Sequence, residues 1–587
     1  MRISPKQFLH GLIYLAPVTL LALASCGGGG GGSGSNTTLT TYSTLSVNVT
    51  GISGVTNAAS GVVLRNGGDT ITNPTITAPG VYAFAHQVPS GSTYNISVLS
   101  QPTPTQLCTF AGGKTTLTAT MPTTNTTVNM SCAPAFKIGG NISGINSDGL
   151  VLQNNGKDNL QIYAASGSSQ TFTFSTPVTS SYNVTMLTPP LGVGQTCSIS
   201  PTGTNSTSSN ISTVSVTCST SSATPDPFVY AANSASTSNV YAFKSTNGTL
   251  SAITNGNVTW GSGRAAIAAD RGGKFVLIAS GTTTGNVESY TIGSTGALTK
   301  VGGVASGNTP YAIAIHPSGN FAYVVNKGDN SVSAYSLATD GTLASIDANG
   351  ATAVNDPTIA TGYLPIAIAI DPTGTYAYVL SAGSYTIGPC GHVSPSHNGC
   401  ISAYSINSTT GALTSINVSG SSNYIDTGVS PSSIAIDPAG KFVYVTNQAD
   451  NTVSEFALNS ADGKLTAATQ ATLSPSNLTS PPAVLTSPSS IAFYPDGTYA
   501  YVTYASGSIL AFPRNTSNGV LNTSTYIATA TGTTPNSVSI DSSGGYAYVA
   551  NYGDGTVWSY SIAGGVTLTK VSSLPAGTGT VAVITAP

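Results

Sequence analysis

The 587-residue chain is short of charge. Lys and Arg number 16 and Asp and Glu 19, so charged residues make up 6% of the whole, against roughly 25% in an ordinary soluble domain. The formal net charge is -3, which excludes the basic footprint that nucleic-acid binding requires. Glutamate is reduced to Glu288 and Glu455, and histidine to five residues, so few side chains are left for acid-base chemistry. The scarcity does not mean disorder, because Ser, Thr, Asn, Gly and Tyr alternate with apolar residues in regular β-rich runs. Phe8 to Ala24 is mostly apolar but is broken by Gly11 and Pro17, and it is short for a membrane-spanning helix.

What is present begins with an address. Arg2 and Lys6 precede the apolar stretch, and Leu23-Ala24-Ser25-Cys26 follows it. This arrangement resembles a bacterial lipoprotein signal with its lipobox. The resemblance implies cleavage after residue 25 and diacylglyceryl attachment to the Cys26 sulfur. Gly27 follows, with no Asp to retain the protein at the inner membrane. The expected location is therefore the outer membrane, on its periplasmic or cell-surface side. Residues 26–44 form a Gly/Ser/Thr-rich tether. The other six cysteines fall into three local pairs, Cys108/Cys132, Cys197/Cys218 and Cys390/Cys400, an even number that suits disulfides in an oxidising compartment.

Residues 45–134 and 135–222 carry an internal duplication. Gly61-Val62-Val63-Leu64-Arg65-Asn66 returns as Gly149-Leu150-Val151-Leu152-Gln153-Asn154, and Tyr94-Asn95-Ile96-Ser97-Val98 as Tyr182-Asn183-Val184-Thr185-Met186. Short alternating strands and a Cys pair in each copy predict two small tandem β-sandwich-like modules. Neither copy holds a nucleophile arrangement, and both read as spacers.

From residue 227 to 587 a second repeat takes over. Its aromatic strand appears as Phe228-Val229-Tyr230, Phe275-Val276-Leu277, Phe321-Ala322-Tyr323, Tyr376-Ala377-Tyr378, Phe442-Val443-Tyr444, Tyr499-Ala500-Tyr501 and Tyr546-Ala547-Tyr548. A short Ile-Ala-Ile-type strand and an Asp-Pro-x-Gly turn precede it, and a third strand and a Gly-x-Leu fourth strand follow. Four strands per repeat predict an all-β, seven-bladed propeller. The region opens without an Ile-Ala-Ile strand and ends on Val581-Ala582-Val583-Ile584, so the last strand is expected to complete the first blade and close the ring.

Tyr444-Val445-Thr446-Asn447 is the signature of YVTN propeller repeats. With the Ile-Asp-Pro-x-Gly and Gly-x-Leu elements it resembles the seven-bladed lactonase family, which includes 6-phosphogluconolactonase-like proteins. The resemblance covers residues 227–587 and implies a lactone-hydrolysing enzyme. It also implies a cluster of Arg, His and Glu on one face, of which no complete set can be carried over. The alternative is a non-catalytic propeller that binds a protein or a glycan.

Strand direction divides the loops between two faces. The Asp-Pro-x-Gly turns share one, and Asp371, Asp437, Asp541 and the substituted His316 read there as turn-formers. The insertions Asp347–Tyr363, Ser384–Asn398 and Ala467–Thr486 are assigned to the other, which becomes the expected site. Five blades enter their inner strand with Pro310, Pro365, Pro431, Pro488 or Pro535, whereas one has Arg264. Arg264 is therefore the candidate for holding a carboxylate or phosphate. Lys327, Asp329, Asp450 and Asp554 read as solvated loop residues. His392 and His397 lie within Cys390–Cys400; two Cys and two His could bind zinc, but export favours a disulfide, leaving either His as a candidate general base. No cofactor or metal is expected. The expected partners are the membrane, through Cys26, and a small lactone, a protein or a glycan at the loop-rich face.

Overall fold

A computed structural model describes residues 41–586, apart from 56–60, 68, 71–75, 103–105, 146–149, 163–168, 191–194, 221–226, 235–237, 261–262, 350–356, 384–397, 420–422, 468–475, 477 and 479–484. Cys26, Cys390, His392 and His397 therefore lie outside the described residues. The described elements are β-strands, with one short 3-10 turn at Ala111–Gly113. The chain divides into two compact units. The first is Met1–Gln101 with Cys108–Ser131; the second is Pro102–Leu107 with Cys132–Pro587.

In the first unit Leu45–Thr50 pairs with Gly80–Ala83 on one side and runs parallel to Thr126–Pro134 on the other. A second sheet is built on Val63–Asn66 and Thr93–Ser100. The duplicate in the second unit repeats this plan. Ile138–Ser143 pairs with Gln170–Thr173 and runs parallel to Ile211–Thr220, opposite a sheet of Asp158–Ile162, Leu150–Asn154 and Val184–Thr188. Ile138, Leu152, Phe172 and Val216 fill its core. Cys197 and Cys218 face each other across paired strands and form a disulfide. Cys108, Cys132 and Cys400 are also disulfide-bonded.

Seven antiparallel sheets follow, four of them four-stranded and three carrying a fifth strand that pairs with the third. The inner strands are Thr580–Ala586, Ala266–Ala269, Pro310–Ile315, Pro365–Ile370, Pro431–Ile436, Pro488–Phe493 and Pro535–Ile540; we number blades 1 to 7 in that order. Each inner strand packs beside the next, and the seventh returns to the first. Thr580–Ala586 lies antiparallel to Phe228–Asn233, so blade 1 is assembled from the two ends of the repeat region. The aromatic second strands are the most buried, because sheet packs on sheet over both of their faces.

The repeated motif residues hold blade to blade. The Tyr230 hydroxyl donates to the Gly296 carbonyl of the next blade, and Tyr323, Tyr378, Tyr444 and Tyr501 do the same to Gly411, Gly463, Gly519 and Gly565. Blade 2 has Leu277 in place of the Tyr, and Ser289 donates to Gly341 instead. Between blades 7 and 1, Ser559 donates to Gly248 and Tyr548 to Ser245. All seven junctions therefore carry a buried hydroxyl bond. The glycine is required twice over. At Gly463 φ is +70°, and a Cβ there would meet the Tyr376 ring at 2.5 Å. The glycine of Gly-x-Leu thus seats the first aromatic of the preceding blade's motif.

Two expectations change. The spacing places the insertion Asp347–Tyr363 at the mouth face. Instead it interrupts the outermost strand of blade 3, because both Leu343–Ser345 and Thr358–Ala360 pair with Ser331–Leu337. The second module is not a free spacer. Its edge strand docks on the turn face of the propeller, where Asn159 donates to the Thr373 carbonyl (2.6 Å) and Gln161 to the Pro438 carbonyl (2.8 Å). Covering an edge strand in this way also removes a site for aberrant pairing.

Candidate functional site

The mouth face is shaped by a repeated backbone device. Thr309, Leu364, Ser430, Ser487 and Thr534 all have φ between 51° and 58°, and each precedes the proline that opens an inner strand. Left-handed φ is costly for residues with a side chain, most of all for β-branched Thr. It persists because each carbonyl accepts a backbone N–H from the loop after the second strand: Lys327, Ala382, Gln448, Ala505 and Tyr552. Asn330 and Asn451 then accept the N–H of Leu364 and Ser487 in the following blade. Asp329, Asp450 and Asp554 are exposed, as expected, but they are not idle. They accept the backbone N–H groups of Asn308, Val429 and Thr533 and so fix the approach to the inner strand.

Blade 2 breaks this pattern. Gly263 (φ 122°) and Arg264 stand where five of the other blades place a strained residue and proline. Arg264 is half-buried, with its guanidinium carbon 4.3 Å from the centroid of the Tyr311 ring in blade 3. The Lys327 ammonium is 4.5 Å from the same centroid. Two cations therefore share one aromatic ring, an arrangement the ring quadrupole favours. Among the described residues no carboxylate is paired with either cation. The Arg264 Nε is buried and has no hydrogen-bond partner, although a buried donor is ordinarily satisfied. The cluster can take an anion or a polarised carbonyl oxygen.

Tyr311 follows Pro310, at a position occupied by Ser432, Ser489 and Asn536 in blades 5, 6 and 7. Those three are committed to the ring itself, donating to the carbonyls of Pro488, Pro535 and Val581 in the next inner strand. Blade 3 thus exchanges a structural hydroxyl for an aromatic surface.

The remaining charged candidates are away from the mouth. Glu288 is bonded by Asn286, Tyr290 and Lys300 on the outer strands of blade 2. On the turn face, Asp371 accepts the N–H groups of Thr373 and Tyr376, and burial pushes its carboxyl up from the usual range. Asp541 accepts from Ser543 and Tyr546 and is shifted upward by the same desolvation. The His316 Nε2 is 2.9 Å from the Gly374 carbonyl, while the Ser318 N–H donates to Nδ1. Those contacts assign the proton to Nε2, and burial lowers the pKa so that the ring stays neutral.

Asp437 is a turn-former, accepting from the N–H groups of Lys441 and Phe442, but it has a second partner. Arg514 of the next blade lies 3.0 Å from its other oxygen, and both side chains are 0% exposed. Arg514 also donates to the Gly497 carbonyl and the Tyr444 hydroxyl. Glu455, buried nearby in the same seam, is pushed up to about 7 by desolvation. This network fixes blade 5 to blade 6. The only sequence signal for it was that Arg514 is one of three arginines in the propeller region.

A family model for the lactonase seven-bladed β-propeller matches residues 300–480 and 476–582. A 6-phosphogluconolactonase of Formosa agariphila is 28% identical over 162 residues, which are 28% of this chain and 40% of that protein. The chain thus spans less than half the length of this curated relative. Among solved structures, the periplasmic gluconolactonase PpgL of Pseudomonas aeruginosa is 15% identical, with a TM-score of 0.48 over 62% of this chain and 99% of that one. A candidate 6-phosphogluconolactonase of Bacteroides fragilis is 17% identical, with a TM-score of 0.47 over 63% of this chain and 100% of that one. Over residues 300–582, just under half of its length, the chain is similar to the family of seven-bladed β-propeller lactonases.

Proposed function

We propose that the protein is an exported propeller, anchored to the outer membrane through a lipid on Cys26, that binds and hydrolyses a lactone at the mouth of the ring. The observation that supports this most is the pairing of Arg264 and Lys327 on Tyr311. A lactone carbonyl gains negative charge as water attacks, and its hydroxy-acid product carries a carboxylate; a fixed guanidinium serves both. The water requires a base, for which His392 and His397 are the candidates from the sequence. The names of the relatives make sugar-acid lactones the first class to assay.

A second reading is a non-catalytic propeller that binds a protein or a glycan. It is favoured by the lack, among the described residues, of a carboxylate or histidine paired with Arg264. A panel of sugar-acid and alkyl lactones, followed by proton release in a weakly buffered solution, separates the two. Turnover that falls at least tenfold in Arg264→Ala supports hydrolysis. No turnover by wild type across the panel rejects it in favour of binding alone.

A further inference from the structure

Blade 2 departs from the repeat at its other end as well. Arg271 stands where the tight turns of blades 3, 4 and 5 have Pro317, Pro372 and Pro438. It lines an open-sided cavity of about 260 Å³ formed by the turns of blades 2 and 3 and by Leu187 and Pro189 of the second module. That volume is just below the usual range of roughly 300–1,000 Å³ for drug-sized ligands, so the occupant it suits is small.

The walls divide by chemistry. Leu187, Pro189, Phe275 and Leu337 are apolar; Lys274 is an exposed cation, and Arg271 is exposed along its length while its guanidinium is desolvated near Asp371 and His316. Neither cation is ion-paired among the described residues. The one carboxylate on the wall, Asp270, is engaged by the N–H groups of Gly272, Lys274 and Phe275. Burial lowers the pKa of the Arg271 guanidinium and the charge of Asp371 opposes that shift, while the Asp371 oxygens are engaged by Thr373 and Tyr376. Two cations without an ion pair among the described residues, beside a cavity with both apolar and polar walls, stand out in a chain with 16 Lys and Arg.

We infer that this cavity binds a small organic anion, with its carboxylate on Arg271 and Lys274 and a short apolar body against Leu187 and Phe275. One wall comes from the module and the others from the propeller, so the site exists only while the two are docked. Its ligand therefore stabilises the docking held by Asn159 and Gln161. This site is on the opposite face from Arg264 and is independent of any lactone chemistry.

Calorimetric titration of the full secreted chain with hexanoate tests the inference, with acetate and hexanol as comparisons. Saturable binding of hexanoate is expected, with acetate and hexanol each at least tenfold weaker. Arg271→Ala should weaken hexanoate at least tenfold, the loss expected for a charge-assisted hydrogen bond. Arg264→Ala should leave it unchanged. Leu187→Ser, which keeps both cations, should weaken hexanoate but not acetate. Failure of hexanoate to saturate, full affinity in Arg271→Ala, or loss in Arg264→Ala instead would each overturn the inference.

Discussion

Gly463→Ala probes what holds the ring together. The substitution has two costs. A residue with a Cβ at φ +70° meets left-handed strain of roughly 1–2 kcal/mol. The new methyl would also sit 2.5 Å from the Tyr376 ring, which packs in the seam between blades 4 and 5. Overpacking of that kind costs about 1–3 kcal/mol, so the expected loss is roughly 2–5 kcal/mol. Gly319→Ala supplies the control, because its φ is +76° but a Cβ there meets nothing within 4 Å. It should cost only the strain, about 1–2 kcal/mol. Trp260 and Trp558 are the two tryptophans of the chain and both lie in propeller strands, so tryptophan fluorescence in urea reports this domain alone. Equal destabilisation by the two substitutions would refute the idea that the aromatic-on-glycine contact clasps the blades.

Three further outcomes follow from the same structure. Arg514→Ala should destabilise the propeller by about 3–5 kcal/mol, because it leaves Asp437 buried without its partner; urea melts measure it, and a loss below about 1 kcal/mol would mean the pair carries no weight. Glu455 has a folded pKa of about 7, above its unfolded value of 4.5. Its contribution is therefore full below pH 4.5 and is lost as pH rises through 7, a fall of roughly 3 kcal/mol that Glu455→Gln should abolish in melts between pH 5 and 8. Cys26→Ala should release the protein from membranes into the soluble fraction, and retention there would remove the lipid anchor from the proposal.

Particular residues show how far the sequence could be read. The recurrence of Phe-Val-Tyr, Asp-Pro-x-Gly and Gly-x-Leu was visible because the blades impose it. Each motif residue answers a demand repeated at every junction, such as Tyr378 donating to Gly463. Arg264 was visible for the opposite reason, as a break in that repetition. Its partners were not, because Tyr311 and Lys327 belong to the next blade and sequence spacing does not report which side chains meet across a seam. The same holds for Asp437. Its turn role follows from local spacing, whereas its ion pair with Arg514 depends on how two blades face each other. Docking of the second module was illegible because Asn159 and Gln161 bind backbone carbonyls, which no sequence pattern marks.

The central claim is that the ligand of this propeller is held at the mouth by Arg264 beside Tyr311 and Lys327. Calorimetric titration with gluconate, the hydroxy acid expected from a sugar-acid lactone, tests it most directly on wild type and on Arg264→Ala. The account predicts saturable binding to wild type that weakens at least tenfold in the variant, the effect of one lost charge-assisted contact. Undiminished affinity in Arg264→Ala, or no binding to wild type, would contradict it.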